Sequence, residues 1–92
     1  MPDPVPYDVI VSLAGHDRGG YYMVVGVRED GRILLCDGRN RRLENPKCKS
    51  PKHVRVAVRG SERPGSDKAI RTTLALAARS AAAKEEKLLG ER

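Results

Sequence analysis

The chain has 92 residues, with 18 Lys and Arg against 12 Asp and Glu and a formal charge of +6. A chain of this length forms one small domain, and no apolar run approaches the ~18 residues of a membrane span. Phe and Trp are absent and only three Tyr are present, which argues against a nucleic-acid module built on several stacked bases.

The first half of the chain predicts a series of short strands. Three prolines in residues 1–7 indicate a flexible tail that lacks the basic and apolar regions of a secretory signal. Residues 8–14 alternate in polarity and predict a half-buried strand. A glycine-rich loop over 15–20 leads to a second alternating strand over 21–28. An Asp-Gly turn then leads to a third strand over 33–36.

The strand signal weakens after the third strand. A short strand is expected over 39–44, with Leu43 pointing inward. Pro46 and Pro51 keep the residues between them extended and exclude a central strand. Residues 53–58 alternate again. Four or five short strands with brief connections are typical of a small antiparallel barrel, which we place at residues 8–59.

The end of the chain predicts a helix. Residues 60–65 form a linker, and a helix follows over 66–89 with Ser66 as its N-cap. Its apolar face is mostly Ala, so we expect weak packing against the barrel, a frayed far end, and a role in solubility or docking. Membrane binding is not expected, because acids offset the basic residues of its polar face and aromatic anchors are absent.

The positive charge is concentrated in the middle of the chain. Residues 32–63 hold ten basic and three acidic residues, and this density favours a surface that faces a polyanion. The alternative is a solvated basic edge strand that only prevents aggregation. The candidate phosphate-binding residues are Arg39, Arg41, Arg42, Lys47, Lys49, Lys52 and Arg55.

The glycine-rich loop adds three candidate residues. Arg18 places a charge at the loop tip, His16 can stack or donate a hydrogen bond, and Tyr22 can stack if it is the exposed one of the Tyr pair. The glycines allow a phosphate or base to approach the main chain, or they simply form a tight turn. The sequence leaves both interpretations open.

Residues 8–58 resemble the KOW motif. The similarity rests on VIVSLAGHDRGGYYMVVGV, with Gly15 and Gly19 followed by the strand from Met23 to Val27, and on the later ILLCDG. In this respect the chain is similar to the large-subunit ribosomal proteins fourteen-e, six-e and twenty-seven-e. The resemblance implies an SH3-like barrel of about five strands that binds ribosomal or other structured RNA. The PKCK run and His53 also look similar to small KOW-domain RNA-binding proteins.

Other chemistry has little support in the sequence. Cys36, Cys48, His16 and His53 lack the Cys-x-x-Cys spacing of a zinc site, so we expect no metal or cofactor. No nucleophile motif is present, and we expect no enzymatic activity. Two cysteines indicate free thiols and a cytoplasmic protein.

Two functions remain in competition. The first is a non-enzymatic RNA-binding protein associated with translation, whose partners are ribosomal RNA and proteins of the ribosome or translation factors. The second is an adaptor that docks a protein of the translation or transcription machinery. Small barrels serve both uses, so the fold alone does not decide between them.

Overall fold

The computed structural model describes the backbone of residues 3–90 and the side chains of residues 3–81. Within this part, the chain forms five strands, a short 3₁₀ turn and a helix. Their bounds are β1 (Val9–Ser12), β2 (Tyr21–Val27), β3 (Ile33–Cys36), β4 (Lys47–Lys49), the 3₁₀ turn (Pro51–His53), β5 (Val54–Val58) and α1 (Asp67–Gly90).

The strands form one antiparallel sheet in the order β4-β3-β2-β1-β5. The predicted fold, a mainly β domain followed by a helix, is confirmed, although no strand pairing closes the sheet. β4 lies at an edge, because the prolines on both sides of it exclude a central position. The predicted strand over 39–44 is wrong: these residues form a loop, and only Leu43 packs partly against the core.

Both faces of the sheet are buried. One face contributes Val9, Met23 and Cys36 to a cluster with α1. The neighbouring residues Ile10 and Val24 point the other way, into a second cluster with Ile33 and Leu35. The pairing register shifts once in β1, between Val9 and Ile10, and once in β2, between Val24 and Gly26. The predicted half-buried first strand is therefore wrong, since all four residues of β1 are buried.

The described part of the N-terminal segment is held against the sheet. Pro4 is buried, and Tyr7 adopts a positive φ of 73°. The Tyr7 N–H donates to the Val24 carbonyl oxygen at 2.6 Å, and its own carbonyl accepts from Ser61 N at 3.0 Å. Asp8, 1% exposed, accepts from Arg59 Nη1 at 3.2 Å. Tyr7 and Asp8 thus tie the end of this segment to the sheet, while residues 1 and 2 lie outside the description.

The first turns of α1 belong to the core. The Ser66 hydroxyl oxygen accepts a hydrogen bond from Ala69 N at 3.1 Å, which confirms the predicted N-cap. Ile70 is fully buried, and Leu74 and Ala77 are each 7% exposed. Burying an Ile or Leu side chain stabilises a fold by about 1.5–3 kcal/mol, so the expectation of weak packing is wrong for this half. The frayed far end expected beyond Ala81 falls on side chains outside the description.

In the part of the chain that the structure describes, no helix combines the length and the apolar character needed to cross a bilayer.

Candidate nucleic-acid interface

Three connections meet at one end of the sheet, which we call the loop end. It comprises residues 13–20 between β1 and β2, residues 37–46 between β3 and β4, and the 3₁₀ turn before β5. In an antiparallel sheet the first two connections lie side by side, and the turn joins them because Leu13 N donates to the His53 carbonyl at 2.8 Å. The loop end thus gathers residues that are up to 40 positions apart in the chain.

The glycine-rich loop of the loop end is a tight turn. Gly15 and Gly19 have φ values of +83° and +86°, a region that favours glycine. Gly19 N donates to the Ser12 carbonyl at 2.8 Å, and Ser12 N donates to the Gly20 carbonyl at 2.9 Å. Backbone geometry accounts for these glycines without a ligand. The predicted residues His16 and Arg18 lie exposed in this loop.

Two of the predicted phosphate-binding residues form ion pairs with an acidic residue of the same chain. Lys47 Nζ lies 2.6 Å from Asp17 Oδ2, and Lys49 Nζ lies 3.0 Å from Asp17 Oδ1. Lys49 also donates to Ser12 Oγ at 2.8 Å and to the Ala14 carbonyl at 3.1 Å. The side chains of Lys49 and Asp17 are only 12% and 11% exposed. Lys49 is thus nearly buried and Lys47, 34% exposed, is also paired, while their assignment to a surface that binds RNA stays a prediction.

The strand geometry of β4 explains why these two lysines pair with Asp17. Lys47 and Lys49 are opposite Leu35 and Ile33 on β3, and both of those residues point into the second core cluster. Because cross-strand partners share a face, the lysines also point inward. The hydrogen bond from Lys47, and then those from Lys49 and Ser12, hold the pKa of the Asp17 carboxyl far below its usual value although burial opposes the shift.

The loop from Asp37 to Leu43 has a fixed main chain. Asp37 Oδ1 accepts from Arg39 N at 2.8 Å and from Arg41 N at 2.9 Å. Helix α1 supplies two further anchors: Arg71 Nη1 donates to the Gly38 carbonyl at 2.6 Å, and Asp67 Oδ1 accepts from Leu43 N at 2.9 Å. The loop is thus rigid without being a strand.

Three arginine side chains project from this rigid loop. Arg39, Arg41 and Arg42 are all exposed. Among the described side chains, no acidic oxygen lies within 4.0 Å of their guanidinium groups. We call these residues the arginine loop. Their charges face solvent and are available to a polyanion.

The remaining predicted cations lie beside the 3₁₀ turn and on β5. Lys52 and His53 are exposed on the turn, where the Ser50 hydroxyl accepts from Lys52 N at 3.3 Å. Arg55 is exposed on β5, and its Cα is opposite Val11. No ion pair involves Lys52 or Arg55 within the described range.

Tyr22 lies among the charges of the loop end. It is half-buried against the second core cluster, and Tyr21 is half-buried against the first, so neither ring is a fully exposed platform. A Cβ atom on Gly20 would come within 3.1 Å of the Tyr22 ring. Burial, and then the charges of Asp17 and Asp37, raise the pKa of the phenol, while Lys47 and Arg41 oppose this shift.

Three contributors to the loop end were not predicted from the sequence. They are Asp17, which neutralises the lysines, and Asp67 and Arg71, which anchor the arginine loop from α1. Asp67 is also the acidic residue in the first turn of α1. No local signal pairs these residues with their partners, because Asp17 is 30 positions from Lys47 and Arg71 is 33 positions from Gly38.

The two cysteines have different surroundings: Cys48, between the β4 lysines, is partly exposed and its sulfur accepts from Arg28 Nη1 at 3.7 Å. Cys36 is buried, its thiol donates to the Arg42 carbonyl at 3.2 Å, and burial raises its pKa to about 11. In the described residues, no three His, Cys, Asp or Glu side chains come together as metal ligands. In comparison with known proteins, no family model matches the chain and no curated protein matches its sequence.

Proposed function

We propose that this chain is a non-enzymatic RNA-binding protein that binds ribosomal or other structured RNA through the loop end. The observation that carries the proposal is the arginine loop: three adjacent, exposed guanidinium groups without acidic partners among the described residues. Arg18 and Lys52 extend the same surface from the neighbouring connections. The KOW resemblance and an association with translation belong to the same proposal.

Arginine is well suited to this task. Its planar guanidinium can bridge two phosphate oxygens or lie flat on a base, whereas an ammonium group acts as a point charge. The main chain of the arginine loop is already held by Asp37, Asp67 and Arg71, so binding costs little backbone entropy. Each phosphate contact releases counterions and contributes about −0.7 to −0.9 to the slope of log K against log salt.

The proposal is tested by replacing Arg41→Ala together with Arg42→Ala. Affinity for a structured RNA should fall severalfold, and the salt slope should become shallower by up to about two units. The matched control is Arg32→Ala with Arg79→Ala, which removes the same charge from exposed positions away from the loop end. A filter-binding titration at several salt concentrations measures both quantities.

Equal effects of the two double variants would show that only the net charge matters. A wild-type chain without salt-dependent affinity for RNA would refute the proposal. In that case, binding to a protein of the translation or transcription machinery that responds little to salt would favour the adaptor.

A further inference from the structure

A cleft of about 320 Å³ lies where the loop end meets α1. Its volume is at the lower end of the ~300–1,000 Å³ that is typical of small-molecule sites. Apolar and aromatic groups are combined with charges along its walls. The residues that matter here are Tyr21, Tyr22, Asp37, Arg39, Arg71 and Ala75.

We propose that this cleft accepts one unstacked nucleotide of the bound RNA, with its base against the accessible part of the Tyr21 ring and its phosphate beside Arg39 and Arg71. This inference rests on the proposed function and specifies its ligand as RNA with an unpaired nucleotide. A base has a flat apolar face and a polar edge, and its phosphate is anionic. The cleft offers a group for each of these parts.

The base would be held by the aromatic part of the cleft. Tyr21 packs against the cluster under α1, and Tyr22 packs against the opposite cluster, so both rings have fixed positions. Gly20 also lines the cleft, and the Tyr22 ring packs so closely on it that an added Cβ atom would lie 3.1 Å from the ring. Stacking of an unpaired base on aromatic side chains is a common way in which proteins recognise RNA.

The phosphate would be held by the charged part of the cleft. Arg39 is exposed and has no acidic partner among the described side chains. Arg71 uses Nη1 to bond the Gly38 carbonyl, which fixes its guanidinium at the cleft and leaves other N–H groups for an anion. Because α1 supplies Arg71 and Ala75, the helix forms one wall of the site.

Asp37 would select the base. Its Oδ1 accepts from two loop N–H groups, and no hydrogen bond reaches its Oδ2 from the described residues. A carboxylate oxygen accepts hydrogen bonds and repels phosphate, so it suits the amino groups of adenine, cytosine and guanine. Uracil has no amino group, and the two carbonyl oxygens that flank its N3–H repel a carboxylate. We therefore expect a weaker affinity for an unpaired uridine.

The test compares an RNA hairpin with an adenosine loop and a blunt duplex with the same number of phosphates. The wild-type chain should bind the hairpin about tenfold more tightly, as expected for one stacked base. The exposed Ala75 is replaced, Ala75→Leu, to fill the cleft without a change of charge. This variant should lose most of the hairpin preference and keep the duplex affinity and salt slope. Ser80→Leu adds the same bulk at an exposed site outside the cleft and should bind like wild type.

A second variant tests the selection of the base. Asp37→Asn keeps an oxygen for the two loop N–H groups and can place an amide N–H₂ in the position of Oδ2. The variant should lose the wild-type preference for adenosine. It should bind a uridine-loop hairpin at least as tightly as the adenosine-loop hairpin. Circular dichroism confirms that each variant is folded.

The outcomes distinguish this inference from the proposed function. Equal wild-type affinity for hairpin and duplex, or unchanged binding by Ala75→Leu, would overturn the nucleotide site and leave RNA binding standing. No affinity for either RNA would overturn both. A glutamate-rich peptide that binds the wild-type chain, but not Ala75→Leu, in the absence of RNA affinity would assign the cleft to protein docking.

Discussion

The lysines of β4 and the arginine loop carry the same sign of charge and lie within eleven residues of each other, but their environments are opposite. Lys47 and Lys49 turn inward and neutralise Asp17, whereas Arg39, Arg41 and Arg42 point to solvent. A strand sends alternate side chains to one face, and in β4 that face is the one on which Ile33 and Leu35 of β3 form the second core cluster. A basic segment therefore predicts a binding surface only when its side chains are known to point to solvent.

The two regions also differ in what is rigid. In β4 the charged groups themselves are held, and they connect β4 to the loop after β1. In the arginine loop the main chain is held, by Asp37 and by two residues of α1, while the guanidinium groups stay exposed. The first arrangement stabilises the fold, and the second presents charge at fixed positions.

The largest expected effect comes from Asp17→Ala. This change leaves Lys49 as a nearly buried cation without its acidic partner, and breaking such a pair costs about 3 kcal/mol of unfolding free energy. Urea denaturation followed by circular dichroism measures the loss. A change below about 1 kcal/mol would show that the β4 lysines are solvated and not structural.

Gly38→Ala tests the anchoring of the arginine loop. Gly38 has a φ of +77°, and a Cβ atom there would overlap the Asp67 carbonyl oxygen and Arg71 Cγ. Gly31→Ala is the matched control, because Gly31 also has a positive φ (+89°) but open space around it.

We expect Gly31→Ala to cost about 1 kcal/mol for backbone strain, and Gly38→Ala to cost about 2 kcal/mol more because of the overlap. Thermal unfolding measures both variants. Similar losses for the two variants would contradict close packing of α1 against the loop.

Lys49→Met and Lys52→Met compare the effect of losing a nearly buried lysine with that of losing an exposed one. Lys49→Met removes hydrogen bonds to Asp17, Ser12 and Ala14 and should cost about 2 kcal/mol. Lys52→Met should stay within about 0.5 kcal/mol of wild type, because its side chain is exposed. Affinity for RNA should fall more for Lys52→Met than for Lys49→Met. The reverse order in an RNA titration would show that Lys49 contributes more to RNA binding than Lys52 does.

The smallest effect is the pH dependence of the Asp17 ion pairs. The pKa of Asp17 in the folded chain lies below its usual value of 3.8, so its stabilising contribution is complete above about pH 5 and is lost as the pH falls through and below 4. Asp17→Asn lacks this contribution at every pH. The difference in unfolding free energy between the two chains should therefore narrow between pH 6 and pH 3. A constant difference in urea titrations over this range would contradict the ion-pair assignment.

Local sequence signals account for most of the strands and for the start of the helix. Alternating polarity and Asp-Gly turns produce the strands β1 to β3, the prolines place β4 at an edge, and Ser66 starts α1. These signals are local, because they depend on backbone preferences and on neighbours a few residues away. The loop at 39–44 was mistaken for a strand, since the bonds from Asp67 and Arg71 that shape it come from distant parts of the chain.

Contacts between distant parts of the chain set which cations are free. The fold brings Asp17 to lysines that are 30 and 32 positions away, and α1 covers a sheet face that the strand pattern left open. Electrostatic neutralisation and burial depend on distance in space, and the order of residues along the chain does not specify that distance.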